Sequence, residues 1–293
     1  MERVTCMLKQ PSLRSRIAEE QPIWILEPQG RWPQLRLHDL WEYRDLLYFL
    51  VWRDVKVRYK QTVLGAAWAI LQPVLATIVF SIFFGRLAKL PSDGIPYPVF
   101  AYVAVVPWQL FAFCLGESAS SLVSNQNLIQ KVYFPRLVIP LATVLTGLVD
   151  FCVAFIVLLV LLFRYGIVPP LASLLLLPVL LIFAITAALS VGIWLSALNV
   201  QFRDVRYTLP FLTQIWMFAT PVVYSSHLIP DKWRPLYGLN PMSGVVEGFR
   251  WALLGSAEGL VPQVWVSASM VLLLLAGGLL YFRRMESTFA DIV

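Results

Sequence analysis

The chain has 293 residues, of which 59% are hydrophobic and 14% are charged, and its formal net charge is +6. This composition excludes an ordinary globular enzyme and indicates a protein with several membrane spans. The positive charge fits anchoring to anionic membrane lipid and gives no reason to expect a nucleic-acid partner.

The N-terminal 60 residues are expected to contain neither a span nor a cleavable signal peptide, because they lack a clean apolar core. Residues 1–38 are polar, contain Pro and give no fold signal. Residues 39–60 are predicted to form an amphipathic helix, since Asp39 and Glu42 have capping-box spacing and apolar residues recur on one side. We expect this helix to lie in the cytoplasmic membrane interface before the chain turns into the first span.

Residues 61–285 are predicted to form six transmembrane helices, because about 20 apolar residues are needed to cross the hydrocarbon core of a bilayer. The spans lie between Lys60 and Arg86, between Asp93 and Glu117, from about Val138 to Phe163, after Arg164, from about Tyr207 to Ser226, and between Glu258 and Arg283. An even number of spans places both termini on one side of the membrane.

The basic residues assign that side to the cytoplasm, because Lys and Arg are enriched in cytoplasmic loops. Of the 23 Lys and Arg residues, 17 fall on this side: 11 in residues 1–62, and two each in the two later loops and in the C-terminal flank. Both termini are therefore predicted to be cytoplasmic, with residues 286–293 as a short tail.

The segment between the fifth and sixth spans, about residues 227–258, contains short apolar runs interrupted by Pro, Gly and charged residues. No run reaches spanning length, yet Trp233, Phe249 and Trp251 would be unfavourable in water. We therefore expect short external re-entrant helices that dip into the outer half of the membrane, with a plain surface loop as the alternative. The predicted fold is an all-α integral membrane protein.

Motifs that carry catalytic or metal chemistry are absent from the sequence. There is no G-x-x-x-x-G-K-[ST] phosphate loop and no G-x-S-x-G nucleophile motif. The histidines and cysteines have neither metal-ligand nor disulfide spacing. The chain is therefore predicted to be no enzyme, with no metal site and no cofactor of its own. The spans also lack the repeated acidic or His residues of a proton-driven carrier.

Four stretches in chain order carry a family resemblance: RDVKVRYKQTVLGAAWAILQP (53–73), NQNLIQKVYFPR (125–136), LNVQFRDVRY (198–207) and TPVVYSSHLIPDKWRPLYGLNPMSGVVEGFR (220–250). From about residue 40 to its end, the chain resembles the permeases of type-2 ABC exporters, in particular those that export O-antigen, capsule or teichoic-acid polymers. The resemblance implies a homodimer that works with two copies of a separate cytoplasmic ATPase, and this ATPase would bind ATP and Mg. The complex would move an undecaprenyl-linked polysaccharide across the bacterial inner membrane.

Two other functional classes remain open at this point. A type-2 exporter of a drug or small lipid would keep the same topology and the same contact with an ATPase. A membrane-embedded enzyme that transfers glycans would need paired carboxylates or a metal site on one membrane face, and the sequence contains neither.

The loop at about residues 124–136 resembles the coupling helix of the family, which contacts the ATPase. We expect its apolar residues to form an exposed knob with a charged rim, and Pro135 to end the helix; an ordinary polar loop is the alternative. Arg203 and Asp204 in the next cytoplasmic loop belong to the same transmission surface, to a salt-bridge network that holds the cytoplasmic gate, or to a local membrane anchor. The residues assigned to ATPase coupling are Asn127, Leu128, Ile129, Lys131, Val132, Phe134, Pro135, Arg136, Arg203 and Asp204.

Four cations precede the first span within eight residues: Arg53, Lys56, Arg58 and Lys60. We predict that they face the cytoplasmic headgroups and attract the diphosphate of the lipid carrier, with simple anchoring as the alternative. Asp150 is the one carboxylate in the middle of a predicted span. It must face protein or water, and we favour pairing with a neighbouring helix through Thr or backbone, with a polar group near the transport pathway as the alternative.

Two stripes of mainly polar and aromatic residues follow helical spacing. The stripe of span one contains Gln61, Gly65, Trp68 and Gln72, and that of span five contains Thr213, Met217, Thr220 and Tyr224, with Trp216 beside it. Helix packing would explain either stripe alone. Because the resemblance places both spans at the dimer interface, we predict that both stripes line a translocation path. Aromatic faces and hydrogen-bonding side chains suit a sliding sugar polymer.

Overall fold

A computed structural model describes residues 37–60, 65, 67–255, 260–286 and 289, and all regular elements in these residues are helical. This confirms the all-α prediction. The predictions made for residues 1–36, for Gln61 and for most of the C-terminal tail lie outside the described residues. The described α-helices are α1 (Leu37–Glu42), α2 (Arg44–Lys60), α3 (Ala67–Phe80), α4 (Tyr97–Ser124), α5 (Gln126–Lys131), α6 (Val138–Arg164), α7 (Leu171–Leu174), α8 (Leu177–Gln201), α9 (Val205–Ala219), α10 (Arg234–Gly238), α11 (Pro241–Leu254) and α12 (Leu260–Glu286).

Five of the described helical segments are long and apolar enough to cross a membrane. They correspond to predicted spans one to four and six, so the prediction of a multi-pass membrane protein is confirmed. The first of them includes the π-helical continuation of α3. The five segments are Ala67–Leu87, Tyr97–Ser124, Val138–Arg164, Leu177–Gln201 and Gln263–Glu286.

The fifth predicted span, Tyr207–Ser226, is only partly helical. Helix α9 has 15 residues and ends at Ala219. Thr220 is extended (φ −102°, ψ 143°) because it precedes Pro221, and a residue before proline is driven away from the helical region. The prediction that the whole stretch is one helix is therefore wrong. A sixth crossing therefore depends on the path of the chain on both sides of α9 and not on one long helix.

Helix α4 is the centre of the bundle and packs against α6, α8 and α11. Most of its residues are buried, as expected for a helix that is apolar on all sides. Small residues on its neighbours allow close packing. A Cβ atom on Gly192 would lie 2.7 Å from Ser118 Oγ, and one on Gly147 would lie 2.8 Å from the Phe113 ring.

The bundle has two ends. The proximal end holds the segment between α4 and α6, and here Asn199 Nδ2 of α8 donates to the Ala119 carbonyl of α4 (3.0 Å). The distal end holds the start of α4, where the Tyr97 hydroxyl donates to the Val223 carbonyl (2.6 Å). Between Phe202 and Val223 the chain therefore runs along α4 from the proximal end to the distal end.

A separate group of buried apolar residues, the proximal cluster, closes the proximal end. It joins α2 to the last turns of α4 and α12, to the start of α6 and to the segment between α4 and α6. Helices α2 and α12 thus meet at the same end of the bundle. The cluster includes Leu50, Leu122, Ile129, Phe134, Val138, Phe282 and Phe289.

The predicted interfacial helix consists of two helices, α1 and α2, separated at Tyr43. Their exposed side chains include Trp41, Phe49 and Trp52, a composition typical of a membrane interface. Helix α2 also packs along α6, and its last turn reaches Asp150. Asp150 lies twelve residues after the start of α6, about 18 Å at 1.5 Å per residue. Helix α2 therefore extends well into the bundle, and the interfacial position of its first turns stays a prediction.

The segment between α9 and α12 contains the short helices α10 and α11, two 3-10 turns and connecting residues. Helix α11 lies among the longer helices: the ring of Phe249 packs edge-on against Phe151 in the middle of α6, with 6.1 Å between centroids. Trp233, in contrast, is more than half exposed. Re-entry of these helices into the outer half of a membrane stays a prediction.

Candidate transmission surface and substrate path

The segment between α4 and α6 exposes a different set of residues from the predicted knob. Ile129 and Phe134 are buried in the proximal cluster, with only 6% and 5% of their surface exposed. Ile129 of α5 belongs to the same buried cluster as Leu50 of α2, and α5 is followed by the extended Val132, two residues before Phe134. The prediction that these two residues form an exposed knob is wrong. Tyr133, which the sequence analysis did not select, is 93% exposed and forms the tip.

The rim of this segment also differs from the prediction. Asn127 and Lys131 are exposed, whereas Leu128 and Pro135 are half-buried. Arg136 is not a free rim cation, because its guanidinium donates to the backbone carbonyl of Glu286 at the end of α12. Its charge is therefore engaged within the chain.

Arg203 and Asp204 lie between α8 and α9 at the proximal end, where both side chains are exposed. The Asp204 carbonyl accepts the backbone N–H of Tyr207 (3.0 Å) and so belongs to the first turn of α9. No ion pair involves either residue within the described part of the chain. They share an end of the bundle with Tyr133, and their role in coupling stays a prediction.

Of the four cations before the first span, two are exposed and two contact polar side chains of the bundle. Lys56 and Lys60 are exposed. Arg53 donates to Asp54 (2.8 Å) and to Asn125 Oδ1 (2.9 Å) at the end of α4. The prediction that all four face the headgroups is therefore wrong, because α2 packs onto the bundle and directs both arginines toward it.

Arg58 forms an ion pair with Asp150 of α6, with 2.6 Å between Nη2 and Oδ2. The Tyr59 hydroxyl donates to the other carboxylate oxygen, and the Arg58 guanidinium lies 4.2 Å from the centroid of the Phe113 ring. Asp150 does pair with a neighbouring helix, but its partners are an arginine and a tyrosine rather than Thr or backbone. Sequence reasoning missed this pair because Arg58 had been assigned to the membrane surface. A lone intramembrane carboxylate was the signal that a countercharge should be sought.

A recess between α3, α4 and α6 gathers polar side chains in the middle of the bundle: Arg58, Gln72, Gln109 and Asp150 line it together with the Phe113 ring. Gln109 was not selected from the sequence. The recess contains one positive and one negative charge, so its wall is close to neutral and rich in hydrogen-bonding groups. Such a wall suits a neutral polyhydroxylated group better than an ion.

The predicted stripe of span one is shorter than expected. Gln61 lies outside the described residues, and Gly65 occupies a turn with φ +37° before α3 begins at Ala67. A positive φ is accessible to glycine and ends helical geometry. Gly65 therefore does not share a helix face with the others. Trp68 and Gln72 remain four residues apart on one exposed face of α3.

The predicted stripe of span five faces the bundle instead of an open path. The Thr220 side chain is fully buried, and Trp216 donates from Nε1 to Asn240 Oδ1 (2.9 Å) and packs edge-on against Phe111. A fully buried side chain does not line a path, so the assignment of Thr220 is wrong and packing explains it. Thr213, Met217 and Tyr224 are half-buried, and the exposed face of α9 carries Phe211, Leu212, Ile215 and Phe218.

Two further residues, Asn240 and Arg250, stabilise the chain where it leaves α9. Asn240 Nδ2 donates to Thr220 Oγ1 (2.9 Å), while Arg250, only 2% exposed, donates to the carbonyls of Val222 (2.8 Å) and Tyr224 (3.2 Å). The two Arg250 contacts satisfy backbone carbonyls that no helix partner reaches. Burial lowers the pKa of the Arg250 guanidinium, and the adjacent Glu247 carboxylate opposes that shift. Charged residues within an apolar segment were the available sequence signal for such a site.

The fold defines a multi-pass membrane protein, and comparison with known proteins gives the family. The chain belongs to the ABC-2 type transporter family, whose pattern matches residues 45–254. It is 34% identical over 257 residues to the O-antigen export system permease protein RfbA of Myxococcus xanthus, with 85% of this chain and 96% of that protein covered. This membership confirms the family resemblance and the prediction of a transport subunit rather than an enzyme.

Two further relatives extend the comparison. The O-antigen export system permease protein RfbA of Klebsiella pneumoniae is 30% identical over 251 residues, with 85% of this chain and 95% of that protein covered. The polysialic acid transport protein KpsM of Escherichia coli is 23% identical over 236 residues, with 80% of this chain and 91% of that protein covered. All three alignments therefore extend over nearly the whole length of the relative.

Proposed function

We propose that this chain is the membrane-spanning permease subunit of an ATP-driven exporter of a lipid-linked polysaccharide of the O-antigen, capsular or teichoic-acid type. The observation that carries this proposal is the near full-length similarity to two permeases named for O-antigen export and to a polysialic acid transport protein. The polymer would cross the bacterial cytoplasmic membrane while attached to an undecaprenyl-type lipid.

The proposed topology has six crossings and both termini in the cytoplasm. Five crossings are the long apolar helices, and the sixth is the chain from Phe202 to Val223, which runs the length of α4 although only α9 within it is helical. Buried Arg250 supports this crossing, because it satisfies carbonyls that hydrocarbon would leave unpaired. The meeting of α2 and the end of α12 in the proximal cluster supports a common side for the termini. The Lys and Arg bias supports the cytoplasm as that side.

Energy would come from two copies of a separate cytoplasmic ATPase, which bind ATP and Mg and act on a homodimer of this chain. The proposed docking surface is the exposed tip of the segment between α4 and α6, with Lys131, Val132 and Tyr133 at its centre. Arg203 and Asp204 extend it at the same end of the bundle. An exposed aromatic side chain with nearby charges is typical of residues that anchor a protein interface.

The proposed substrate path passes the exposed face of α3 and the neutral recess beside it. Trp68 and Gln72 offer an aromatic face and an amide, while Gln109 adds hydrogen-bonding capacity between the helices. Sugar hydroxyls can exchange hydrogen bonds along such a wall without any tight binding site. The exposed Lys56 and Lys60 are proposed to attract the diphosphate of the lipid carrier at the membrane surface.

The test of the function uses a strain in which the gene for this chain is deleted. We expect lipid-linked glycan to accumulate in the cytoplasm and the surface polymer to disappear, and both defects to be reversed when the gene is restored. Normal surface polymer in the deletion strain would refute polysaccharide export and would favour the export of a drug or small lipid.

The docking surface is tested by Tyr133→Asp, which places a charge at the exposed tip. We expect this variant to insert normally but to lose co-purification with the ATPase and most of its export. The matched control is Tyr165→Asp, because Tyr165 is also exposed but follows α6 at the distal end. Full export by the Tyr133 variant, or equal loss in both variants, would contradict the assignment.

A further inference from the structure

The end of α12 is attached to the base of the segment between α4 and α6 by contacts that the proposed function does not use. The backbone N–H of Arg136 donates to Glu286 Oε1 (3.1 Å), and the Arg136 guanidinium donates to the Glu286 carbonyl. Arg283 donates to the other Glu286 carboxylate oxygen, Oε2 (2.8 Å). The Glu286 carboxylate therefore lies between two arginines, and both of its oxygens accept hydrogen bonds.

Buried aromatic rings support the same contact. Phe289 is fully buried in the proximal cluster and packs edge-on against Phe282, with 5.2 Å between centroids. The Arg136 guanidinium lies 5.9 Å from the centroid of the Phe289 ring. Charge-assisted hydrogen bonds that are partly shielded by buried rings are stronger than those on an open surface.

The opposite end of the segment is attached to α2. Arg53 Nη2 donates to Asn125 Oδ1 (2.9 Å), and Asn125 Nδ2 donates to the Ser121 carbonyl (2.9 Å). Both ends of the segment are therefore attached to other helices, whereas its tip at Tyr133 is exposed. A force applied to a tip is passed to the bundle only if the base of the segment does not bend.

We propose that Glu286 is a positioning residue for energy coupling. It fixes Arg136 and thereby the base of the segment, so that movement of an ATPase docked at the tip is passed to α6 and α12 together. Glu286 touches neither nucleotide nor substrate. The proposal rests on the proposed function, because it assumes that an ATPase docks at the tip.

The first test needs no ATPase. In the purified full-length chain in lipid nanodiscs, Glu286→Ala should increase amide hydrogen exchange in residues 126–135 by about tenfold or more, because the base of the segment loses its side-chain acceptor. Glu286→Gln should retain most of the protection, since its amide oxygen can still accept the Arg136 N–H. The matched control is Glu42→Ala, because Glu42 is exposed in α1. Unchanged exchange in Glu286→Ala would overturn the proposal.

The second test measures polymer exported per ATP hydrolysed in the reconstituted complex. Glu286→Ala should retain ATPase binding and ATP hydrolysis but export several-fold less polymer per ATP, and Glu286→Gln should recover much of the loss. Faster amide exchange with an unchanged export ratio would overturn the positioning role. A wild-type complex that hydrolyses ATP without exporting polymer would instead refute the proposed function, which is a distinct outcome.

Discussion

Removal of one charge from the Arg58–Asp150 pair should destabilise the chain more than removal of both. The paired atoms are 2.6 Å apart, and the two side chains retain 38% and 20% exposure. An unpaired carboxylate at the centre of a span costs at least about 2.5 kcal/mol on insertion scales. Because Tyr59 would still donate to Asp150 and the site is partly exposed, we expect Arg58→Met to lower the free energy of unfolding by about 2 kcal/mol.

The reciprocal and double variants complete a double-mutant cycle. Asp150→Leu leaves a guanidinium whose long side chain can reorient toward a polar surface, so we expect a loss of about 1–2 kcal/mol. The double variant Arg58→Met/Asp150→Leu contains neither charge and should lose less than about 1 kcal/mol. The cycle therefore predicts a coupling energy of at least about 2 kcal/mol, a size measured for residues in contact.

Unfolding by SDS in mixed micelles, followed by circular dichroism, measures these free energies. Lys56→Met is the matched control, because Lys56 is exposed on the same helix two residues earlier, and its effect should stay within about 0.5 kcal/mol. A coupling energy below about 0.5 kcal/mol would refute the inference that the pair stabilises the docking of α2 on α6. If the folded double variant also exports less polymer, the polar recess contributes to transport as well as to stability.

Three further predictions test other parts of the structure. In a chain without native cysteines, a cysteine in place of Gln72 should react with a water-soluble thiol reagent, whereas a cysteine in place of Thr220 should stay protected. Rapid labelling at position 220 would show that span five lines the path after all. Arg250→Met should lower the free energy of unfolding by about 3 kcal/mol, because buried carbonyls lose their donors; a loss below about 1 kcal/mol would contradict this role. Gly248→Ala would place a Cβ atom 2.5 Å from Leu180 Cδ2 and should lower the free energy of unfolding by about 1–3 kcal/mol. If adding Leu180→Ala to this variant fails to recover part of the loss, the steric explanation is wrong.

The spans could be predicted from the sequence because crossing hydrocarbon demands about 20 apolar residues, and few other structures need such runs. The end of α9 could not be predicted by the same criterion. Residues 207–226 are as free of acidic and basic side chains as a complete span. The break at Thr220 is caused by Pro221. It is tolerated because Asn240 and Arg250, which lie 20 and 30 residues later, donate to the backbone carbonyls of Ala219 and Val222. A hydropathy profile does not detect hydrogen-bond donors that lie so far along the chain.

The position of the proposed docking segment between two spans could be predicted, but its exposed residues could not. The pattern NLIQKVYFPR identifies a short segment between two spans, yet Ile129 and Phe134 are buried in a cluster to which α2 and α12 also contribute. Those helices are distant in sequence, so no local pattern reveals that they cover one face of the segment. The same limit applies to Arg58 and Asp150, which are 92 residues apart. The positive-inside rule already accounted for the charge of Arg58, so its pairing with Asp150 was not predicted.

The polar groups inside the bundle are not equivalent, and the difference limits where a substrate can pass. Arg58 and Arg250 are engaged by carboxylates or carbonyls of the chain. The side-chain amides of Gln72 and Gln109, in contrast, make no hydrogen bond within the described part of the chain, although both line the recess. An amide left unpaired in hydrocarbon costs roughly 2 kcal/mol or more. Water, a second copy of the chain or a substrate hydroxyl must therefore reach these two side chains in the working protein. The wall that contains them can for this reason accept a polar group from outside the chain without breaking an existing contact, and this supports the proposed substrate path.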